Sequence, residues 1–275
     1  MSNNDAMRKN NKPREEESMN IVVCIKQTFD TEAKIVLDKN GAIDSTGVKH
    51  VINPYDEFAL EEALKLKEKF GGEVTLVSMG GEKVQEALRT GFAMGADQGV
   101  LVTDPALDNP DEWACAEVLA KAIAQIPYDI ILSGRIAVDD GSSQVAVRTA
   151  DALGIPSVSS ILALDIDGDK AACKREIDGG TETIEVNLPV FLTAQKGLNV
   201  PRLPSMAGIM KAKKKELKML SLADLGINAS DLQRKMSDVK FSLPSPRKGG
   251  KVISGEAGDA AKELARLLRE EAKVI

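Results

Sequence analysis

The stretch Asn53–Gly81, NPYDEFALEEALKLKEKFGGEVTLVSMGG, decides the fold. Pro54 presets φ at a first helical position. Phe58, Leu60, Ala63, Leu64 and Leu66 then recur at helical intervals, with Glu early and Lys late, so an amphipathic helix runs to a stop at Gly71-Gly72. EVTLVSM behind it is apolar and of strand length, the pattern of a buried strand. A helix feeding a buried strand is half of a right-handed βαβ unit.

Working outward, the unit repeats. MNIVVCIKQ (19–27) reads as a first strand, and the turn-rich segment 30–52 after it as a hairpin-like excursion. Downstream, EKVQEALRTGFAMGA (82–96) carries Val84, Ala87, Leu88 and Phe92 on one helical side, GVLVTD (99–104) is a third strand, and DEWACAEVLAKAIAQI (111–126) is a helix with the lone Trp113 as its packing anchor. YDIILSG (128–134) is a fourth strand whose loop enters a further helix by residue 155. After Pro156 the rhythm is β only. DGD and DGG turns give two hairpins, with ETIEVNLPVFLTA (182–194) as one strand, which places an antiparallel edge on the sheet. LNVPRLPSM (198–206) cannot continue that strand, because Pro201 and Pro204 lack ladder donors; it reads as an exposed, stiff loop tipped by Met206.

The predicted architecture is α/β: a Rossmann-like, mostly parallel sheet with helices on both faces, an antiparallel hairpin addition and an extended C-terminal arm. Residues 1–18 read as a disordered extension, 19–235 as a nucleotide-binding α/β domain, and 236–275 as a linker with an amphipathic helix at 259–273.

Composition narrows function. A formal net charge of -6 opposes a general nucleic-acid binder, and no apolar run approaches membrane-spanning length. Three cysteines, Cys24, Cys115 and Cys173, lie far apart without a CxxC pair, which removes zinc ribbons and dithiol motifs and fits a reducing cytoplasm. The single histidine, His50, has no accompanying nucleophile or paired carboxylate, and GxSxG, HExxH, P-loop and GxGxxG motifs are all missing. Hydrolase or kinase chemistry is therefore not expected.

Ligands of open α/β sheets bind at the carboxyl ends of the strands. Cys24–Lys26, Ser78–Gly80 and the loop Gly134–Gln144 converge there on this reading. In GRIAVDDGSSQVA, Gly141 bares backbone N–H groups, and Ser142 and Ser143 bring hydroxyls to a helix start. Two readings stay open: an anion site, or Asp140 and the serines merely capping the helix. The Asp139-Asp140 pair repels phosphate, so these carboxylates are expected to hold backbone or a ribose hydroxyl.

NIVVCIKQ, INPYDEFALEEALKLKE, TGFAMGAD, SGRIAVDDGSSQ, KREIDGGTETIEVNLP and LNVPRLPSMAGIMKAKKK together resemble the β subunit of electron transfer flavoprotein, from about Met19 to Leu225. The resemblance implies an adenine-nucleotide α-hydrolase-like fold and a heterodimer with an α subunit that holds FAD mainly on its own side. It implies an electron carrier without substrate chemistry of its own, moving electrons from flavin dehydrogenases to a quinone oxidoreductase or other acceptor without inserting into a membrane.

It further implies a nucleotide in this subunit, AMP or, in bifurcating relatives, a second FAD. The binding positions would be Cys24, Asn53, Pro54, Tyr55, Asp56, Met79, Ile136, Ala137, Val138, Asp139, Asp140, Gly141, Ser142, Ser143, Gln144 and Val145. Leu198, Pro201, Met206, Ile209, Met210 and Lys211 would dock partners, Glu176 would gate the flavin domain, and Lys211 and Lys214 match sites that some relatives methylate. Ser143-Gln144-Val145 departs from the Asn-Gln-Thr run of AMP-binding relatives and loses a hydroxyl. A stand-alone nucleotide-binding stress-type protein is the reading from another class, and it leaves the LNVPRLPS loop and the trailing helix unexplained.

Overall fold

The computed structural model describes residues 18–236, 240–246 and 249–275; the expected disordered extension, Ser18 apart, lies outside the described residues. Two compact units divide the chain: the described residues of Met1–Ile35 with Ser45–Val239, and those of Val36–Asp44 with Lys240–Ile275.

In the first unit β1 (Met19–Cys24) leads to β2 (Gln27–Phe29), which pairs antiparallel with β5 (His50–Ile52). In the second unit the two-residue strands β3 (Val36–Leu37) and β4 (Ile43–Asp44) make a small hairpin. The first unit then alternates α1 (Pro54–Phe70), β6 (Gly72–Met79), α2 (Gln85–Met94), β7 (Gln98–Val102), α3 (Glu112–Ile123), β8 (Ile130–Gly134) and α4 (Val145–Leu153). The β-rich part follows as β9 (Ser157–Asp167), β10 (Lys170–Ile177), β11 (Gly180–Asn187) and β12 (Val190–Ala194), then α5 (Met206–Ala212) and β13 (Lys218–Leu220). The second unit closes the chain with α6 (Ala257–Glu270), where Arg266 bridges Glu263 and Glu270 along the helix.

Among the described residues nine strands join one sheet in the order β11-β10-β9-β12-β8-β1-β6-β7-β13. Every neighbour from β9 to β13 is parallel, and the β9–β10 and β10–β11 pairs are antiparallel. The central strands β12, β8, β1, β6 and β7 are buried on both faces, as parallel sheets require. Ile21 and Val23 of β1 point into one core with Leu60, Leu64, Leu76 and Leu88, while Val22 points into the other with Val77, Val118, Ile123 and Phe191. Each large side chain buried this way contributes roughly 1.5–3 kcal/mol. Gly72 permits the first register: at φ +100, any Cβ there would run into the Met19 backbone, so β6 can start beside β1 only with glycine.

The α/β class, the parallel sheet with helices on both faces and the antiparallel addition agree with the sequence reading. Four details differ. The segment 182–194 is two strands, not one: Pro189 has no ladder donor, and the chain leaves the antiparallel edge to insert β12 between β8 and β9. Met206 does not tip a loop but opens α5, whose start Ser205 caps by accepting from Gly208 N at 2.9 Å. The edge strand β13 was not expected. Trp113 belongs to neither core; it is half-buried on α3 with the Lys235 ammonium 4.5 Å from its ring centroid.

Candidate functional site

The carboxyl ends of β1, β6 and β8 meet the first turn of α1. Asp56, buried in that turn, ties two strand ends together: Oδ2 accepts from Lys26 N at 2.7 Å and Oδ1 from Gly134 N at 2.7 Å. Burial pushes its carboxyl up to about 7, against those hydrogen bonds, one from Asn53 and the nearby Lys26 charge. Gly134 is fixed by the same contact, since a Cβ there would lie 2.5 Å from Asp56 Oδ1 and 2.6 Å from Tyr55 Cβ. Ser78 at the end of β6 closes the row by donating to Ile25 O at 2.7 Å.

Asn53, just ahead of Pro54, does not cap α1 with its side chain. It turns instead to the loop after β8, where Nδ2 donates to Ile136 O at 2.9 Å and Oδ1 accepts from Val138 N at 3.2 Å. Further along the loop, Lys26 Nζ donates to Asp139 Oδ1 at 2.8 Å and Asp140 Oδ2 at 2.6 Å. Burial disfavours the Lys26 charge, but the two carboxylates outweigh it and hold the ammonium above its ordinary value. Partial desolvation raises the Asp140 carboxyl, but Lys26 and the Ser142 N–H outweigh it and keep the group below the ordinary range. The Asp139-Asp140 pair therefore holds a lysine and loop backbone.

Between the two readings left open at the α4 start, the capping one fails. Gln144 occupies the N-cap without a side-chain cap hydrogen bond, and its Oε1 accepts from Arg148 Nε and Nη2 at 3.1 and 2.9 Å. The first N–H groups of α4 therefore face the loop without a capping side chain, next to Ser142 and Ser143. Such a helix end favours an anion. Cys24 lies buried at the end of β1, where burial and then the Asp56 charge push its thiol far up, so it is packing and not a nucleophile. Met79 packs half-buried against the second core.

The pattern of the electron transfer flavoprotein domain matches residues 40–225 of this chain. The electron transfer flavoprotein subunit beta of Bacillus subtilis is 47% identical over 258 residues, covering 94% of this chain and 100% of that protein. Its counterpart from Clostridium acetobutylicum is 40% identical over 256 residues, 92% and 99% of the two chains. That from Homo sapiens is 38% identical over 237 residues, 84% and 91% of the two. The chain belongs to the electron transfer flavoprotein β-subunit family.

Within this electron transfer flavoprotein fold, hydrogen bonds gather Asn53, Asp56, Ile136, Val138, Asp139 and Asp140 of the positions named from sequence at the strand ends, whereas those named for docking and gating lie elsewhere. Glu176 sits exposed on β10, opposite Thr181 of β11. Leu198 packs on the first core, and Pro201 is half-buried. Met206, Ile209, Met210 and Lys211 are exposed on α5. Two neighbours missed from sequence are barer still: Val200 is 87% and Leu203 88% exposed, against 78% for Met206. Also missed was what holds them. Asn199 Nδ2 donates to Phe58 O at 3.0 Å and to Glu62 Oε2 at 2.9 Å, and Arg202 grips Glu61 through Nε at 2.8 Å and Nη2 at 2.9 Å. The available signal was the pair Glu61-Glu62 inside a helix otherwise read as core-facing, since buried carboxylates need partners.

Proposed function

We propose that this chain is the β subunit of a heterodimeric electron transfer flavoprotein, working in the cytoplasm with an α subunit that holds FAD. It carries electrons from flavin dehydrogenases, acyl-CoA dehydrogenases among them, to a quinone oxidoreductase or other acceptor, and performs no substrate chemistry itself. Among the described residues no helix is long and apolar enough to cross a membrane. Residues 236–275 pack on the α subunit in this reading.

The observation that carries the nucleotide role is the uncapped α4 start beside a loop pinned by Asn53 and Lys26. The residues fit an adenine nucleotide. The α4 N–H groups with Ser142 and Ser143 suit a phosphate, and Ile136–Val138, fixed by Asn53, offer backbone groups for a base. AMP is the favoured occupant. It would brace the strand ends, while electron transfer itself belongs to the flavin. Val145, the first residue of α4, brings no hydroxyl, which keeps a second FAD as the competing occupant.

The test is co-expression with the α subunit. The complex is expected to show a flavin spectrum reducible by an acyl-CoA dehydrogenase, and acid release should yield one FAD and one AMP per heterodimer. Two FAD and no AMP would move the reading to a bifurcating member; a colourless complex would overturn it.

A further inference from the structure

Five exposed apolar side chains, Val200, Leu203, Met206, Ile209 and Met210, lie within eleven residues, followed by the exposed Lys211, Lys213 and Lys214. A surface of that composition fits a protein partner with an apolar cup rimmed by carboxylates. The loop 198–205 has no regular secondary structure, so its order must come from elsewhere. Prolines alone do not supply it, since they fix φ at two positions only.

We infer that two carboxylates on α1, Glu61 and Glu62, clamp this loop into its docking conformation through Arg202 and Asn199, which makes Arg202 a positioning residue for partner recognition. The inference rests on the partner-docking role that the resemblance gives to Met206 and its neighbours, and adds how that surface is made ready.

The geometry is specific. Arg202 presents one edge of its guanidinium, Nε and Nη2, to the two oxygens of Glu61, and its own backbone N–H donates to Glu61 Oε2 at 3.0 Å. Nη1 reaches about two turns further along α1 to Glu68 Oε1 at 2.6 Å. Glu61 is 6% exposed and Glu62 5%, so neither carboxylate is a solvated surface group. A bidentate pair of this kind fixes orientation as well as distance, which lysine cannot imitate. Between the pinned Asn199 and Arg202 the chain has no freedom to fold Val200 inward, and Leu203 follows directly on the clamp. The loop therefore loses little conformational freedom on docking, and a preformed loop binds more tightly than a floppy one with the same contacts.

The experiment uses the full chain in complex with its α subunit, with variants Arg202→Met, the milder Glu61→Gln, and the double variant. Amide hydrogen exchange across 198–205 is expected to speed up at least tenfold in Arg202→Met, since the Arg202 N–H itself is held by Glu61. In turnover with a flavin dehydrogenase, KM for the complex should rise several-fold at unchanged kcat and flavin content. The double variant should be no worse than Arg202→Met, because both substitutions open one clamp. Unchanged exchange, or faster exchange with unchanged KM, overturns the clamp. A Leu203→Ala/Met206→Ala control separates the two failures: if it raises KM while the clamp variants do not, only the clamp is wrong; if it also leaves KM unchanged, the docking surface is wrong as well.

Discussion

Gly134→Ala tests whether the strand ends and α1 are in fact welded through Asp56. The added Cβ would lie 2.5 Å from Asp56 Oδ1, 2.6 Å from Tyr55 Cβ and 2.8 Å from the Tyr55 carbonyl carbon. None of these can step aside cheaply. Two atoms sit on or beside the α1 backbone, and Asp56 is held from the far side by Lys26 N at 2.7 Å. Relief must come from moving the end of β8 away from α1, which also breaks the Gly134 N–H bond to the carboxylate. Overpacking costs about 1–3 kcal/mol. Losing a hydrogen bond to a buried acid adds about 1.5–3 kcal/mol. The expected total is roughly 3–6 kcal/mol, a large part of the 5–15 kcal/mol that holds a typical domain together.

Urea unfolding of the parent and variant reads the difference directly. Gly81→Ala is the control, with nothing within 4 Å of its Cβ, and should stay within about 0.5 kcal/mol of the parent. Nucleotide should also leave the Gly134→Ala protein, because the loop that carries Ile136–Val145 departs from this residue. A Gly134→Ala protein as stable as the control would refute the weld.

Asn53→Ala removes both side-chain bonds to Ile136 and Val138 and should cost about 2 kcal/mol, with the loop cut faster by protease while helix content is kept. Asp56 titrates near 7 when folded against 3.8 as its ordinary value, so its contribution to stability is complete below about pH 3.8 and is lost as pH rises through 7. The stability gap between the parent and Asp56→Asn should accordingly shift by up to about 1.4 kcal/mol per pH unit between pH 5 and 7, and a pH-independent gap would count against it. Met206→Ala, at a side chain 78% exposed, should leave stability within about 0.5 kcal/mol while slowing electron transfer from a dehydrogenase. Raising ionic strength should lower the association rate, because the exposed lysines after Met210 act across a screening length of about 8 Å, and should leave exchange protection in 198–205 intact.

The alternating strands and helices were legible because their periodicity is local: Leu60, Ala63, Leu64 and Leu66 announce α1 with no knowledge of what they pack on. Elements that depend on the rest of the molecule were not. β13 is three residues, Lys218–Leu220, and is a strand only because β7 offers it an edge. The helix α5 is hidden behind two prolines, and its Gly208 reads as a breaker; in the fold Gly208 lies where a Cβ would strike the Ala93 carbonyl oxygen, so glycine is what lets α5 approach α2. The cradle was legible in part. Asn53 and Asp56 belong to a recognisable run, but that one pins the loop and the other ties β1 to β8 is tertiary information. The Glu61–Arg202 pair spans 141 residues, so the adjacent Glu61-Glu62 hints that a partner is needed but nothing local says which one.

Asp56 and Glu61 both project from α1, and the chemistry of their partners separates their roles. Asp56 meets the neutral backbone N–H groups of Lys26 and Gly134 and the neutral Asn53 amide, with the Lys26 ammonium committed to Asp139 and Asp140. Burial therefore wins, and its carboxyl is pushed up to about 7. Glu61 meets a guanidinium, and the reciprocal effect is seen on Arg202, whose hydrogen bonds to Glu61 and Glu68 raise it further above its already high value. The first-turn tie can thus gain or lose a proton near neutrality, whereas the Arg202 guanidinium of the clamp stays charged across that range. A carboxylate bound only by N–H groups can be neutralised without breaking every bond it makes, which suits the edge of the nucleotide cradle proposed above. A loop that has to be in place before a partner arrives is better held by a guanidinium that stays charged. Because both fastenings lie on α1, less than two turns apart, the cradle and the docking loop share one rigid support while answering to different conditions.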